Sequence, residues 1–470
     1  MRPRVHILSG ASSSGKTWLL NSIAALDEGG IDPEIRAIRA PKFSERPLRV
    51  KPDEVDDIIN VSSIQTGDYD IAYVLNNKKY GIKLDPIRQL LAKGLNPFVI
   101  LSDFRVIREL KNIFGRDVQT SYVSSAIDPD RLRRIQLERL GFRPTEEQKS
   151  VLAYHFAKTG AAARLDWWDR VSDCMSDLES DWRAYATDAK STEIRAEKIR
   201  AFHTRYIEHI PLFDHVILNY TENKPEEMTS QAKRLILQLD EFEDFKDKQF
   251  PPVFVVAASS GAGKGELLEM LNLIGRDKIR ITSKLAKRVP RAQDKRDGMI
   301  ALLRESNIAE PRWPDWWTEE TKEHGRRSEF PPEYDLRWEF HKAEANAKGT
   351  PYAVSSVEIQ RGIDEQMPQI FVSNIEQFKT FRNLWPKYTV FVYLHRLVSE
   401  HENRRYQMDK WEDNPVQAEV RIAEKDFVHA AYIKSIPEFD HVLLNTGFQE
   451  DLYDQMFRLL EFYGQHALGK

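Results

Sequence analysis

The residues Gly10-Ala-Ser-Ser-Ser-Gly15-Lys16-Thr17 form the stretch of sequence that decides the fold. They match the phosphate-loop pattern GxxxxGK[ST], and they follow an apolar run, Val5 to Leu8, that is typical of a buried strand. The glycines let the backbone curve until several N–H groups point at one phosphate, while Lys16 can reach the outer phosphates and Thr17 can ligate Mg²⁺. The expected phosphate-binding residues are Gly10, Ser12, Ser13, Ser14, Gly15, Lys16 and Thr17.

An internal repeat predicts how the chain is organised. The segment IPLFDHVILN at 210–219 recurs as IPEFDHVLLN at 436–445, an offset of 226 residues. We therefore predict two copies of one domain, at 1–240 and 251–470, joined by a charged linker at 241–250. The same offset pairs Glu193, Arg195, His203 and Tyr206 with Glu419, Arg421, His429 and Tyr432.

Two insertions distinguish the copies. Residues 143–192 in the first copy have a helical pattern, and residues 303–332 in the second are rich in tryptophan. We expect the tryptophans to pack locally or at a domain interface rather than to stack on bases. The paired residues His203/His429 and Tyr206/Tyr432 precede the last strand and are expected to be core or interface groups rather than catalysts.

The second copy carries a changed phosphate loop, Ala258-Ser-Ser-Gly261-Ala-Gly263-Lys264-Gly265. Ala258 stands where the first glycine would be, and Gly265 removes the hydroxyl that positions Mg²⁺. We expect this loop to bind phosphate, and the alternatives are a purely structural loop and a loop that binds nucleotide without turnover. The candidate phosphate-binding residues here are Ser259, Ser260, Gly261, Gly263, Lys264 and Gly265.

Apolar runs alternate with helical patterns through both copies. Asp85-Pro86 is a helix start and Gly94 a helix stop, which predicts a helix over 85–94. This alternation predicts an α/β fold with a mainly parallel sheet flanked by helices. The apolar runs read as strands are Val5–Leu8, Phe98–Leu101, Val216–Leu218, Val253–Ala257, Ile370–Val372, Val390–Leu394 and Val442–Leu444.

Composition narrows the class of protein. The 470 residues include 69 Lys and Arg against 73 Asp and Glu, a net charge of −4 that argues against an extended nucleic-acid coat. The lone Cys174 excludes an intrachain disulfide and any multi-cysteine metal site. No apolar run approaches the ~18 residues of a membrane span, so we expect a cytoplasmic protein.

Both copies share a second pattern: Lys42 to Arg49 and Lys284 to Arg291 both read K-[FL]-[SA]-x-R-x-x-R. This pattern resembles the T-T-R-x-P-R segment of the guanylate kinase family of nucleoside-monophosphate kinases. Lys79-Tyr80-Gly81 looks like its Y-Y-G segment, and FDHVILN looks like its last strand. The resemblance implies a P-loop NTPase fold, with two tandem domains that each carry a small acceptor-binding subdomain and a lid.

For the first copy, the resemblance implies a role for each matching residue. Arg46, Arg49 and Tyr80 would hold the acceptor phosphate, and Arg195 would close on the transferred group from the lid. Asp103 would orient Mg²⁺ waters or the acceptor, which makes Thr17 and Asp103 the metal candidates, although a helix cap is the alternative role for Asp103. Asn219 would contact the donor base. The corresponding residues of the second copy are Arg288, Arg291, Tyr352, Asn374, Arg421 and Asn445.

Two departures from the family bear on the acceptor. The place of its guanine-reading glutamate falls at Ile71 or Asp70 in the first copy, and Arg337 precedes Trp338 in the second. Lys42 and Lys284 replace a small hydroxyl residue, which adds one positive charge at each acceptor site. This suits an acceptor with more than one phosphate, a phosphosugar or a nucleic-acid end, and the sequence does not choose among them.

Three hypotheses of function follow. The leading one is a phosphotransferase that uses ATP and Mg²⁺ on a phosphorylated acceptor, with Lys16, Asp103 and Arg195 as catalytic residues and Lys264 and Arg421 as their weaker counterparts. The second is a protein-interaction scaffold that has lost catalysis, which the second copy fits better. The third is a nucleic-acid-end or modified-nucleotide kinase, which the net charge of −4 disfavours. The two copies can also pack on each other in place of a homodimer.

Overall fold

A computed structural model provides the structure of the chain. The described residues are 2–10, 14–45, 58–65, 67–75, 77–125, 206, 208–219, 227–237, 251–259, 261–274, 279–282, 284–287, 300–303, 329–340, 350–396, 405, 408, 419, 422, 432, 435–447 and 449–463. The linker 241–250 and the insertion 143–192 lie outside them, as does 303–332 except at its two ends.

A five-stranded parallel sheet forms the centre of the first half. The strand at Val5–Ser9 is buried at every residue, as expected for a strand covered by helices on both faces. The sheet contains five strands, namely β1 (Val5–Ser9), β2 (Ala37–Arg39), β7 (Asn96–Ile100), β8 (Val118–Ser125) and β9 (His215–Asn219). Their order is β2-β7-β1-β8-β9, with every pairing parallel.

Local sequence signals set the helices around this sheet. Helix α1 (Lys16–Ile23) follows the glycine-rich loop, and α2 (Leu84–Ala92) matches the predicted helix to within two residues at each end. Helix α3 (Phe104–Phe114) begins where Asp103 accepts hydrogen bonds from the backbone of Arg105 and Val106, and it ends at Gly115. A further helical segment, 227–237, follows β9.

A smaller mixed sheet packs beside the first. Its strands are β3 (Lys42–Ser44), β4 (Ile59–Asn60), β5 (Ile71–Leu75) and β6 (Lys78–Ile82). Their order is β4-β3-β6-β5, in which β3 and β4 are parallel and the other two pairings are antiparallel. A connection of two residues joins β2 of the parallel sheet to β3.

The second half repeats both sheets strand for strand. Its strands are β10 (Val253–Ala257), β11 (Arg280–Ile281), β12 (Lys284–Lys287), β13 (Ile300–Leu303), β14 (Leu336–Phe340), β15 (Thr350–Val354), β16 (Gln369–Val372), β17 (Thr389–Arg396) and β18 (His441–Asn445). The parallel sheet has the order β11-β16-β10-β17-β18, and the mixed sheet has the order β13-β12-β15-β14. The helices are α4 (Lys264–Ile274), α5 (Ser356–Asp364), α6 (Phe378–Leu384) and α7 (Gln449–Phe462).

The two halves touch along the edges formed by β9 and β18. Arg234 donates from Nε and Nη2 to Oδ1 of Asp440, at 3.1 and 2.7 Å, and so joins segment 227–237 to the second half. Phe462 of α7 places its ring edge-on to both His215 and His441. Within the described part of the chain, no helix has the length and apolar character required to cross a bilayer.

Candidate phosphate-binding site

The phosphate loop lies at the carboxyl edge of the first parallel sheet. It leaves β1 at Ser9 and enters α1 at Lys16, with β7 and β8 on either side of β1. Open parallel sheets bind ligands at this edge, where strand ends and helix starts meet. Gly15 is the N-cap of α1 and, as glycine, has no side chain with which to cap the helix. The first-turn N–H groups of a helix have no intrahelical partner, so they are the donors that a bound anion can use.

Close contacts explain the two glycines. Gly10 has φ 152°, and a Cβ there would lie 2.4 Å from the carbonyl oxygen of Val123 on β8. Gly15 has φ 94°, and a Cβ there would lie 2.7 Å from Nδ2 of Asn219. A larger residue at either position would clash and would be strained. The loop is therefore shaped by its contacts with β8 and β9 as well as by its own sequence.

The lysine and hydroxyl groups of the loop lie at the start of α1. Nζ of Lys16 lies 3.3 Å from Oγ of Ser14, and Ser14 is fully buried. Thr17 follows on the first turn of α1 and is exposed. This arrangement leaves an ammonium and a hydroxyl beside the uncapped helix start, as phosphate and Mg²⁺ would require.

Asn219 contacts the loop itself. Its Nδ2 donates to the carbonyl oxygen of Ser14 at 2.9 Å, across 205 residues of sequence. Met228 of segment 227–237 packs on the same side of Gly15. The amide nitrogen that we expected at the donor base is thus bound to the phosphate loop.

Asp103 follows β7, beside the phosphate loop on β1. Register pairs Leu8 with Ile100, so Gly10 and Asp103 extend from the same edge of adjacent strands. Oδ1 of Asp103 caps α3 by accepting from the backbone of Arg105 at 2.9 Å and Val106 at 3.2 Å. The alternative role as a helix cap is therefore present in the structure, and the capping oxygen is one of the two in the carboxylate.

The small sheet meets the parallel sheet at Lys42. This residue is 5% exposed, and its Nζ donates to the carbonyl oxygen of Ile100 at 2.8 Å. Its counterpart Lys284 is equally buried and donates to Val372 at 3.1 Å, with Nζ 4.8 Å from the ring of Tyr352. Both ammonium groups therefore bind the end of the neighbouring strand, and their predicted role at an acceptor site stays a prediction.

Aromatic and acidic residues of the small sheet recur in both halves. Tyr80 stacks on Tyr73 with ring centroids 5.2 Å apart, and Tyr352 stacks on Trp338 at 6.0 Å. Because each aromatic pair faces across its strands in the same way, Trp338 corresponds to Tyr73.

This register also corrects the comparison at Asp70. Oδ2 of Asp70 accepts from the backbone of Leu84, the first residue of α2, and Oδ1 of Asp335 accepts in the same way from Ser356 at the start of α5. The counterpart of Asp70 is therefore Asp335 and not Arg337. Burial opposes ionisation of Asp335, but hydrogen bonds from Ser356 and from the backbone of Asp335 and Leu336 together outweigh burial and lower the pKa of this carboxyl group.

The second phosphate loop keeps part of this geometry. Nδ2 of Asn445 donates to the carbonyl oxygen of Ala262 at 3.0 Å, and a Cβ on Gly263 would lie 2.0 Å from that nitrogen. Nζ of Lys264 donates to the loop carbonyls of Ala258 and Ser259 at 2.8 and 2.7 Å. The lysine is thus bound to its own loop, and Gly265 supplies no hydroxyl.

Backbone register changes the assignment of Asn374. In the first half the N–H of Leu101 donates to the carbonyl oxygen of Leu8, and in the second half the N–H of Ser373 donates to the carbonyl oxygen of Val256. Ser373 therefore corresponds to Leu101, and Asn374 corresponds to Ser102 and not to Asp103. Its Nδ2 lies 3.4 Å from the carbonyl oxygen of Glu339 and from Oε2 of Glu376. Asn374 therefore bridges the end of β16 and the small sheet.

The paired tyrosines that precede the last strand of each half lie in the core. Tyr206 and Tyr432 are both buried, as expected for core groups, and burial raises the pKa of Tyr432. No cluster of three or more metal-ligating side chains occurs among the described residues, and Thr17 and Asp103 remain predictions as metal ligands. The predicted residues that lie outside the described residues are Ser12, Ser13, Arg46, Arg49, Arg195, His203, Ser260, Arg288, Arg291, Arg421 and His429.

Comparisons with known proteins give a weak likeness. No protein-family model matches this chain, and no curated protein matches it. Among the solved structures that match, a guanylate kinase from Anaplasma phagocytophilum is 14% identical, with a TM-score of 0.27. The match covers 45% of this chain and 86% of that protein. A TM-score this low assigns neither a family nor an activity to the chain.

Proposed function

We propose that residues 1–240 form an ATP- and Mg²⁺-dependent phosphotransferase domain of the nucleoside-monophosphate kinase type, which acts on a phosphorylated acceptor. Residues 251–470 form a second such domain that binds nucleotide with little or no turnover. The observation that carries this proposal is the loop between β1 and α1. It combines Gly10 and Gly15, in backbone conformations that favour glycine, with Lys16 at the start of α1.

The residues of this loop fit the phosphates of ATP. Uncapped N–H groups at the start of α1 and the ammonium of Lys16 provide positive charge where phosphate oxygens would lie. Thr17 and Asp103 would hold Mg²⁺, which supplies neutralisation of charge on the phosphate oxygens when bound. Phosphoryl transfer needs little covalent assistance, so the work of these residues is to align the two substrates and to stabilise charge.

The acceptor would lie between the loop and the small sheet. Tyr80 pairs with Ser44 at the end of β3, and Arg46 and Arg49 follow Ser44 in the sequence. Arginine donates two hydrogen bonds in a fork that matches phosphate geometry. Asp70 is engaged with the start of α2 and would act there by holding α2 against the small sheet.

The second half differs at the groups that turnover needs. Gly265 has no hydroxyl, and Asn374 lies opposite Ser102 rather than opposite the proposed Mg²⁺ ligand Asp103. These observations favour binding without catalysis in residues 251–470.

A turnover assay tests the proposal. The full chain is incubated with ATP, Mg²⁺ and a panel of nucleoside monophosphates, nucleoside diphosphates and phosphosugars, and ADP is measured. At least one acceptor should stimulate ADP formation, and Lys16→Ala should reduce this rate by about 10²-fold or more. A panel on which wild type and Lys16→Ala give equal rates would refute phosphotransfer at this loop.

A further inference from the structure

We propose that Asn219 and Asn445 are positioning residues, each of which orients one peptide unit of a phosphate loop so that its N–H faces the bound phosphate. This inference rests on the proposed function, because it assigns a role in nucleotide binding. It differs from a contact with the donor base, since the side chain acts through the loop backbone.

The same contact occurs in both halves. Nδ2 of Asn219 lies 2.9 Å from the carbonyl oxygen of Ser14, and Nδ2 of Asn445 lies 3.0 Å from that of Ala262. Both carbonyls belong to the residue just before the glycine that precedes the loop lysine. Both asparagines end the last strand of their sheet, where strand pairing fixes their backbone.

Peptide geometry connects this contact to phosphate binding. The C=O of Ser14 and the N–H of Gly15 belong to one planar trans peptide unit and point in opposite directions. Because Asn219 holds the carbonyl on the side of β9 and Met228, the Gly15 N–H is directed to the opposite side of the loop. Gly15 is also the N-cap of α1, so this N–H joins the uncapped donors of the first helical turn.

Packing shows that the contact is built into the loop. The Cβ position of Gly15 lies 2.7 Å from Nδ2 of Asn219, and that of Gly263 lies 2.0 Å from Nδ2 of Asn445. Both glycines have left-handed backbone conformations, with φ 94° and 101°. Glycine and asparagine are therefore required together, since a side chain on either glycine would displace the amide.

The second loop makes the inference more specific. It has lost the first glycine and the hydroxyl residue of the pattern, but it keeps the asparagine contact and the glycine beneath it. What has been retained is the part that orients an N–H group, and what has been lost is the part that positions Mg²⁺. We therefore expect the second loop to bind phosphate without supporting transfer.

The test replaces the amide donor of Asn219 by a carboxylate of the same shape. In Asn219→Asp the carboxylate cannot donate to the carbonyl oxygen of Ser14, so the hydrogen bond that orients the Ser14–Gly15 peptide unit is lost. ATP affinity, measured by calorimetry, should fall about tenfold, and KM for ATP should rise by a similar factor. Asn219→Ser keeps a hydroxyl donor and should fall between wild type and Asn219→Asp. Asn445→Asp, made in a Lys16→Ala background, should weaken ATP binding at the second loop by about tenfold.

Asn96 provides a matched control at the first residue of β7, which lies at the end of the same sheet opposite to the phosphate loop. It is buried, and its Nδ2 donates to the carbonyl oxygen of Ile35 at 2.8 Å. Asn96→Asp should lower thermal stability but leave ATP affinity unchanged. If wild type binds ATP and Asn219→Asp binds it equally well, the positioning role is wrong while the proposed function stands. If wild type binds no ATP at either loop, the proposed function itself is wrong.

Discussion

The imidazole rings of His215 and His441 stack across the contact between the two halves, with centroids 5.7 Å apart and planes inclined by 21°. The two positions are 226 residues apart, which is the offset of the internal repeat. Equivalent residues therefore face each other, as in a self-complementary contact between two identical subunits. The chain thus contains, within one molecule, an arrangement that symmetric dimers form between two.

This buried pair predicts that stability falls in mild acid. Burial lowers the pKa of His215 to about 4, although Asp214 opposes the shift, and burial also lowers the pKa of His441. Below pH 6.5 the unfolded chain binds protons that the folded chain does not, so stability is lost as the pH falls. Each histidine should cost about 1–2 kcal/mol between pH 6.5 and 5.

Denaturant unfolding at several pH values measures this effect. In the structure Nε2 of His215 lies 2.9 Å from Oε1 of Gln119. The amide of His215→Gln can still donate to this oxygen, but it does not titrate. The variant should show a shallower decline in unfolding free energy between pH 6.5 and 5 than wild type. An unchanged slope would mean that His215 does not carry this pH dependence.

The ion pair between Arg234 and Asp440 should stabilise the contact between the halves. The Asp440 side chain is 6% exposed, and its Oδ2 also accepts from the backbone of Phe391 at 2.7 Å. Asp440→Ala should lower the free energy of unfolding by about 3 kcal/mol, because it removes the carboxylate that binds Arg234 and the acceptor of the buried Phe391 N–H. Arg234→Met should cost at least as much, because it removes the guanidinium that compensates the buried carboxylate of Asp440.

A surface pair gives the comparison for that measurement. Arg280 and Glu365 are 32% and 46% exposed, so Arg280→Met should change the unfolding free energy by less than about 1 kcal/mol. Equal losses in Asp440→Ala and Arg280→Met would show that the contact between the halves contributes little.

The two roles of Asp103 can be separated by one substitution. Asparagine caps helices nearly as well as aspartate, so Asp103→Asn should change stability by less than about 0.5 kcal/mol. It removes the charge proposed to act on Mg²⁺, so turnover should fall by about 10²-fold. Asp103→Ala should lose both turnover and about 1 kcal/mol of stability. Full turnover in Asp103→Asn would leave capping as the role of this residue.

Lys42 should affect the acceptor rather than ATP. Lys42→Met leaves the carbonyl oxygen of Ile100 without its ammonium donor and should cost about 1–2 kcal/mol of stability. Because Lys42 begins the small sheet, KM for the acceptor should rise while KM for ATP stays constant. Lys284→Met is the matched control, which should lose similar stability without changing either KM. A rise in KM for ATP alone would contradict this assignment.

Local signals predicted the elements that the sequence itself encodes. The apolar run at 5–8 and the Asp85-Pro86 and Gly94 signals gave β1 and α2 close to their observed bounds, because burial and capping act within a few residues. The strands of the small sheet were not predicted. They are only two to five residues long, and their character is mixed: Ile59–Asn60 is exposed at both residues, whereas Ile71–Leu75 is apolar.

Long-range contacts set what the sequence could not predict. The letters Ser-Asp at 102–103 and Ser-Asn at 373–374 align, but pairing of Ser373 with Val256 moves Asn374 by one residue. Burial of Lys42 depends on Ile100, 58 residues away, and the contact of Asn219 with Ser14 spans 205 residues. A repeated residue type identified these positions, but only the fold shows what each side chain binds.

The most direct test of the account follows the labelled γ-phosphoryl group of ATP. Wild type, Lys16→Ala and Lys264→Ala are each incubated with Mg²⁺, labelled ATP and the acceptor panel, and the labelled products are separated. We predict labelled acceptor with wild type and Lys264→Ala, and a loss of about 10²-fold or more with Lys16→Ala. Label that appears only as inorganic phosphate, or transfer that survives in Lys16→Ala, would contradict a kinase site at residues 10–17.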